Sequence, residues 1–362
     1  MEHIMFAKLR RMIWIYTFDA WRMPPRNIYI EITGACNFRC PNCPRTYANK
    51  TRGHMPVEMF RKVIKDIAED YPELEHIGFH FFGEISMRKD FDTLINWARE
   101  KLPGTHFGIS TNLSFEKKDV IDRLLRSDLD VIGVWPDAYS SESYEQIRTG
   151  GSFPGVRDNI RYLLEERARL NKSDIEVHVG MVKNKINQGY TGKFYKEFEF
   201  VDAFPGAGLV TIDSHDWAGQ VPSGAVIDSA GNYKLKLPKV CPMPFYTLVV
   251  SAEGDVSLCC FDMNLNLKVG NVMKDGTIAG LWTSGNANAI RRGMKRLNPP
   301  EMCRHCHNFY FDLTPSRIIR KMKTAFMRRE LKHFLLADHI KSARGRSAGK
   351  ASREGKAGQG NS

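Results

Sequence analysis

Apolar residues recur in two alternating rhythms along the first half of the chain. From Asn27 to about Thr211, short runs with an apolar residue at every second position are followed by longer runs with apolar residues three or four positions apart. The first rhythm predicts strands and the second predicts amphipathic helices. Such repeated units predict an α/β fold with a parallel sheet covered by helices. The predicted strands are Ile28–Thr33, Ile77–Phe82, His106–Thr111, Val131–Trp135 and Ile175–Val182, and the predicted helices are Val57–Asp70, Phe91–Leu102, Glu116–Arg126 and Gly155–Leu170.

The alternation stops after Trp217. A β-hairpin is predicted at Tyr246–Ser251 and Asp255–Leu258, and helical segments follow around Leu281 and Ala289. The second half of the chain therefore predicts a smaller unit of a different kind.

The basic character of the chain belongs to its C-terminal part. Of the formal net charge of +12, residues 316–362 carry +10. Pro315–Ile340 has the pattern of a basic amphipathic helix, and the glycine, serine, alanine and charge that dominate from Ser342 onward predict disorder. The helix either docks on the rest of the protein with its polar face in water, or binds an anionic membrane surface or an acidic partner.

The composition predicts a cytoplasmic protein. No apolar run is long enough to span a membrane, and the first 23 residues mix basic and aromatic residues without a signal-peptide pattern. Eight cysteines without an export signal indicate a reducing compartment, where cysteines bind metal more often than they form disulfides. Peripheral attachment to a membrane is the alternative that the basic tail leaves open.

Three cysteines lie close together directly after the first predicted strand. Cys36, Cys40 and Cys43 are separated by three and then two residues, which places three thiols on one loop. Thiolates at such spacings bind iron-sulfur clusters, whereas structural zinc usually has four ligands. Three ligands leave one iron of a four-iron cluster open, and an open position is typical of a catalytic metal site.

Four further cysteines predict a second metal site. Cys241 and Cys259 flank the predicted hairpin, and Cys303 and Cys306 form a distant Cys-x-x-Cys pair. Together they can close a four-thiolate site, which zinc and a four-iron cluster would both fill. Cys260 is left over, either as a small buried apolar residue or as a hydrogen-atom donor.

The spacing from Cys36 to Cys43 is that of the radical SAM enzymes, and the chain resembles them. This resemblance implies a partial (β/α)6 TIM-like barrel that is open on one side. It also implies a 4Fe-4S cluster whose fourth iron is chelated by S-adenosylmethionine (SAM), and one-electron cleavage of SAM to a 5'-deoxyadenosyl radical.

Three further motifs carry the resemblance. Gly83 and Glu84 resemble part of the family's Gly-Gly-Glu motif, which implies contact with the SAM amino group. Ser110 and Asn112 resemble an element near the ribose, and Arg148 resembles a ligand of the SAM carboxylate, with a surface salt bridge as its alternative role. The departures from the family pattern are Phe82 in place of a glycine, Ile85 in place of a common proline, and Asn42 in place of the large residue near the adenine.

The second cysteine set resembles the SPASM domain in its shortened, twitch-type form. Its motif residues are Gly254, Cys259-Cys260-Phe261-Asp262, Gly270-Asn271-Val272 and Leu281-Trp282, and no cysteine follows Cys306. The resemblance implies one auxiliary 4Fe-4S cluster held by Cys241, Cys259, Cys303 and Cys306. The predicted division of the chain is a basic and aromatic segment at 1–26, the barrel at 27–215, a hairpin and helix auxiliary-cluster domain at 216–312, the basic helix at 313–341 and a disordered tail at 342–362.

Three functional hypotheses follow. The first is an oxidising enzyme that abstracts a hydrogen atom from a sugar-like metabolite or a peptide and passes an electron to the auxiliary cluster, with a one-electron donor such as flavodoxin or ferredoxin. The second is a redox-neutral epimerase with Cys260 as hydrogen donor. The third is a non-catalytic metal protein that binds nucleic acid, which the near absence of aromatic residues among the basic ones of the tail disfavours. No catalytic base stands out among Asp137, Glu199, Asp213 and Asp216.

Overall fold

The computed structural model describes residues 23–48, 53–115, 117–222, 224, 226–227, 233–313 and 315. Most of the predicted N-terminal segment, nearly all of the predicted basic helix and the whole predicted tail lie outside these residues.

Within the described residues, the chain forms eleven strands and nine α-helices. The strands are β1 Asn27–Ile30, β2 His76–Gly78, β3 His106–Thr111, β4 Val131–Val134, β5 Glu176–Lys183, β6 Ala207–Asp213, β7 Lys236–Pro238, β8 Thr247–Val250, β9 Asp255–Ser257, β10 Lys268–Asn271 and β11 Tyr310–Asp312. The helices are α1 Val57–Asp70, α2 Phe91–Lys101, α3 Asp119–Arg126, α4 Ser141–Ile147, α5 Phe153–Arg169, α6 Thr191–Glu197, α7 Ile278–Trp282, α8 Gly285–Lys295 and α9 Glu301–Arg304.

Strands β1 to β6 lie side by side in chain order, and every neighbouring pair is parallel. The helices that connect them bury an apolar face against the sheet, which confirms the predicted partial barrel. On the inner face, glycines make room for large rings. A Cβ on Gly180 would lie 2.4 Å from the Trp135 ring, and one on Gly78 would lie 2.7 Å from the Tyr29 ring.

The auxiliary hairpin extends this sheet and does not form one of its own. Strand β8 pairs in parallel with β1, so that Val249 lies opposite Tyr29, and β9 and β10 follow as antiparallel neighbours. The backbone groups of β1 would otherwise be exposed along an open edge. The hairpin was predicted from local pattern, but its place beside β1 is a pairing between distant residues that local pattern does not contain.

The sequence pattern did not predict three barrel elements, namely β6 and the seven-residue helices α4 and α6. Strand β6 lacks a clear alternating pattern because Gly206 and Gly208 interrupt its start. Helix α4 has only seven residues, and its start is fixed by a capping box in which the Ser140 hydroxyl accepts from the Ser143 backbone amide. No helix among the described residues is both long and apolar enough to cross a membrane.

Candidate active site

The loop that carries the first three cysteines begins just beyond the C-terminal end of β1. Cys40 is buried, and Cys36 and Cys43 are half-buried. The Cys43 amide donates to the Cys40 carbonyl at 3.1 Å, and Arg45 Nε donates to the Gly34 carbonyl at 3.1 Å. These bonds hold three thiols at the mouth of the barrel, where the sequence predicted them.

Gly83 is required by the close approach of two backbones. A Cβ at this position would lie 1.9 Å from the Thr33 carbonyl oxygen, at the start of the cysteine loop. The Glu84 amide donates to the Ala35 carbonyl at 2.8 Å and fixes the same contact. Phe82, which departs from the family pattern, is buried and packs its ring 5.2 Å from that of Trp217. Gly83 therefore supports the cysteine loop through its backbone, and its predicted contact with SAM stays a prediction.

The Glu84 carboxylate lies where β2 and β3 reach the mouth of the barrel. It is buried and accepts from the Thr111 hydroxyl at 2.6 Å, the Asn112 amide at 2.8 Å and the Ser86 amide at 3.3 Å. Burial raises the pKa of Glu84, and these hydrogen bonds oppose that rise. The arrangement holds a carboxyl group beside the cysteine loop, where the predicted partner is the SAM amino group.

Asn112 ties the end of β3 to the cysteine loop. Its Nδ2 donates to Asn37 Oδ1 at 2.8 Å, and its Oδ1 accepts from the Ser114 amide at 2.8 Å. Asn37 Nδ2 in turn donates to the Ser114 carbonyl at 2.9 Å. Ser110 lies two residues earlier on β3 and is half-buried. The ribose contacts predicted for Ser110 and Asn112 stay predictions.

Arg148 belongs to a buried ion pair beside the cluster loop. Its Nη2 lies 2.7 Å from Asp137 Oδ2, and its Nη1 donates to Cys40 Sγ at 3.6 Å. Asp137 is fully buried, accepts from the Val182 amide at 2.7 Å, and has its pKa raised by burial to about 6 in spite of Arg148. Arg148 therefore forms a salt bridge, as its alternative role supposed, but a buried one and not one at the surface, and the predicted SAM carboxylate contact stays a prediction.

The four candidate bases occupy different surroundings. Asp137 is paired as described, and Asp213 lies 2.8 Å from Lys183 Nζ. Asp216 is buried three residues beyond β6, close to the mouth of the barrel. Glu199 is exposed and precedes β6, at the end of the barrel opposite the cysteines. This placement disfavours Glu199 as the base.

The second cysteine set lines one cavity. Cys241, Cys259, Cys303 and Cys306 are all buried and line the same small space. The other side chains around this space are largely apolar and include Met243, Phe261, Leu267, Met294, Met302 and Phe309. Cys260 does not line it. Burial raises the pKa of all four thiols, that of Cys241 to about 11, so an apolar pocket of this kind favours thiolates only when a metal centre supplies positive charge.

The four cysteines provide a thiolate donor set that zinc or a four-iron cluster would both fill. Asp262 fixes the loop after Cys259, because its carboxylate accepts from the Ser257 hydroxyl at 3.0 Å and the Leu267 amide at 2.6 Å.

A group of aromatic rings and histidines joins the two cysteine sites. Trp217 Nε1 donates to the Asn42 carbonyl of the first cysteine loop at 3.3 Å, and the Trp217 ring lies 5.5 Å from that of Phe261, which lines the second cavity. The His215 ring lies 4.2 Å from Phe261 and 4.9 Å from His307. Sequence reasoning missed this group, although Phe261 and His307 lie within two residues of cysteine ligands.

Two regions of the chain match known protein families. Residues 30–177 match the radical SAM superfamily, and residues 241–307 match SPASM, described as an iron-sulfur cluster-binding domain. The chain is a radical SAM enzyme with a SPASM domain. The two matches lie inside the predicted barrel and auxiliary domain, whose exact limits stay predictions.

Relatives of this radical SAM enzyme differ in how much of their length it covers. It is 27% identical to the tungsten-containing aldehyde ferredoxin oxidoreductase cofactor-modifying protein of Pyrococcus furiosus, over 44% of this chain and 45% of that protein. It is 22% identical to mycofactocin maturase MftC of Mycobacterium tuberculosis, over 77% and 75%. It is 21% identical to the SAM-dependent 2-deoxy-scyllo-inosamine dehydrogenase of Niallia circulans, over 78% and 92%. The chain therefore spans about half of the first relative and most of the other two.

A solved structure supports the fold. The crystal structure of Streptococcus suis SuiB bound to the precursor peptide SuiA superposes with a TM-score of 0.53 and 13% identity, and the match covers 79% of this chain and 70% of SuiB. The family matches confirm the predicted cofactors, namely SAM, a 4Fe-4S cluster and auxiliary iron-sulfur binding. The assignment of individual residues to these groups stays a prediction.

Cys260 of this radical SAM enzyme follows Cys259 directly in the chain and is half-buried, and it does not line the cavity of the other four cysteines. Burial raises the pKa of Cys260 to about 12, so the group stays a thiol at neutral pH. Its position is compatible with both roles that the sequence left open.

Proposed function

We propose that this radical SAM enzyme oxidises a small sugar-like molecule or a peptide side chain at the mouth of the barrel and delivers an electron to an auxiliary cluster. The observation that carries the proposal is the contact from Asn42 through Trp217 to Phe261. Two side chains, Trp217 and Phe261, connect the first cysteine loop to the four-cysteine cavity. An acceptor this close suits a reaction with net oxidation.

Two relatives support the substrate classes. The Niallia circulans protein is named as a dehydrogenase of 2-deoxy-scyllo-inosamine, and SuiB was crystallised with a precursor peptide. The open side of the barrel between β6 and the auxiliary segment is where either substrate would enter.

The chemistry balances as a two-electron oxidation. When bound, the cofactors supply one-electron cleavage of SAM, removal of one hydrogen atom from the substrate, and an acceptor for the second electron as the substrate loses a proton. The protein holds these groups in place: Glu84 and Arg148 lie beside the first cysteine loop, and the apolar wall around Cys241 keeps water from the second site. A reduced flavodoxin or ferredoxin is the proposed electron donor.

Loss of the auxiliary cluster should separate SAM cleavage from substrate oxidation. In the Cys303→Ala, Cys306→Ala double variant we expect iron to fall from about eight to about four atoms per chain. 5'-Deoxyadenosine should still form with SAM and dithionite, but oxidised product should not. The measurement is anaerobic reconstitution, iron analysis, and chromatography of nucleoside and product, with 2-deoxy-scyllo-inosamine and a synthetic precursor peptide as substrates.

Cys260→Ala is the matched control because it changes a neighbouring cysteine that does not line the cavity. It should keep the parent iron content and the parent oxidation rate. Product formation at the parent rate in the double variant would exclude an electron-accepting role, and zinc at the second site would do the same.

A redox-neutral epimerisation is the second candidate, favoured by Cys260, a thiol next to Cys259 that the four-cysteine cavity does not use. If it is correct, product formed in D2O should carry one deuterium, delivered by the exchanged thiol, and Cys260→Ala should still consume SAM without releasing epimer. Oxidation predicts no solvent deuterium at the reacting carbon. Mass spectrometry of the product in D2O decides between the two reactions.

A further inference from the structure

An exposed apolar face lies on the small two-stranded sheet formed by β7 and β11. Four side chains compose it, and they are called here the ribbon face: Leu235, Leu237, Phe311 and Leu313. Their relative exposures are 56%, 53%, 40% and 44%. Large apolar side chains that are this exposed and also adjacent typically mark an interaction surface.

The strand register places these four residues together. Phe311 lies opposite Leu237 in the antiparallel pair, and the Leu313 amide donates to the Leu235 carbonyl at 2.9 Å. Because alternate residues of a strand point to the same side, Leu235 and Leu237 share one face with Phe311 and Leu313. The result is a compact apolar patch and not a scatter of single residues.

Basic residues accompany the patch. The Lys239 ammonium group lies 4.7 Å from the ring of Phe311, a residue of the patch. Lys234 and Lys236 are exposed and alternate with Leu235 and Leu237 on the other side of the strand, where the Lys236 ammonium group lies 4.7 Å from the Tyr310 ring. Three residues after Leu313 the chain enters the stretch 316–362, which carries a net charge of +10. Lysine stems beside exposed leucine and phenylalanine are typical of surfaces that lie in the headgroup region of a bilayer.

We propose that the ribbon face binds the surface of an anionic lipid membrane. The patch inserts its four apolar side chains below the headgroups, and the basic residues bind the negative lipids. Each Lys or Arg near such a surface adds a modest attraction that falls off within a Debye length. Nucleic acid fits less well, because phosphate binding depends on charge and makes no use of an exposed leucine and phenylalanine face.

Vesicle sedimentation tests the proposal with the full, cluster-loaded chain. The probes are vesicles of phosphatidylcholine alone and of phosphatidylcholine mixed with phosphatidylglycerol. The parent protein should sediment with the mixed vesicles and not with the neutral ones, and high salt should release it, since the Debye length falls from about 10 Å at 0.1 M to about 3 Å at 1 M. The Leu237→Gln, Phe311→Gln double variant should bind the mixed vesicles at least about tenfold more weakly. Its glutamine side chains do not gain the free energy that leucine and phenylalanine gain on moving from water into the bilayer.

Met273→Gln is the matched control, because Met273 is another exposed apolar residue, with 51% exposure, outside the ribbon face. It should bind as the parent does. If the double variant does not fold, Leu235→Gln carries the test, since Leu235 is the most exposed of the four. Equal binding by the parent and the ribbon variants would overturn the proposal. Equal binding to neutral and anionic vesicles would also overturn it. A third contradicting result is a protein that does not bind vesicles but binds duplex DNA equally well with and without the ribbon substitutions.

Discussion

Replacing Gly83 with alanine should remove the barrel cluster and leave the auxiliary cluster in place. The added Cβ would lie 1.9 Å from the Thr33 carbonyl oxygen and 3.0 Å from that of Ala35, and both neighbours are backbone atoms that no side-chain rotation can move. Forcing extra volume into a well-packed contact costs about 1 to 3 kcal/mol, and occasionally more. We expect the cysteine loop to be displaced, because the clash occurs at Thr33 and Ala35, where this loop begins.

Iron analysis and nucleoside formation check this expectation. Iron should fall from about eight to about four atoms per chain, and 5'-deoxyadenosine should fall to the level of the variant in which Cys36, Cys40 and Cys43 are alanine. Gly208→Ala is the matched control, because a Cβ on Gly208 meets no atom within 4 Å, and it should behave as the parent. A Gly83→Ala protein with full iron and full nucleoside formation would contradict the clash argument.

Much of the barrel could be predicted because its signals are local. The α1 prediction, Val57–Asp70, has the bounds of the observed helix, and the His106–Thr111 prediction has those of β3. The cysteine spacing likewise predicted a family that the comparisons confirm. In each case the information lies within one stretch of sequence, in a hydrophobic period or a ligand spacing.

Other features depend on residues that are far apart in the chain. The bond from Trp217 to Asn42 joins positions 175 residues apart, and the pairing of β8 with β1 joins the two halves of the protein. Nothing in the local pattern around Trp217 predicts its partner. Gly83 was predicted to contact SAM. In the structure, a side chain at this position is excluded by the backbone of Thr33, which lies beside Gly83 only in the folded chain.

The pair of Arg148 and Asp137 should set the reduction potential of the barrel cluster. Arg148 Nη1 lies 3.6 Å from Cys40 Sγ, and hydrogen bonds and charges near the sulfur ligands shift such potentials. A hydrogen bond to a charged group contributes about 1.5 to 3 kcal/mol, and about 1.4 kcal/mol corresponds to about 59 mV for one electron. Arg148→Gln should therefore lower the midpoint potential by an amount on the order of 60 mV.

Asp137→Asn should shift the potential in the opposite direction, because it leaves the Arg148 charge without its carboxylate. Opposite signs distinguish an electrostatic role from a loosened site, in which both variants would shift alike. Arg123→Gln is the control, since Arg123 pairs with Asp92 on the outer helices. Redox titration followed by electron paramagnetic resonance gives the midpoint potentials. An unchanged potential in Arg148→Gln would show that the Cys40 contact has no electrostatic effect on the cluster, and would leave the SAM carboxylate as the partner of Arg148.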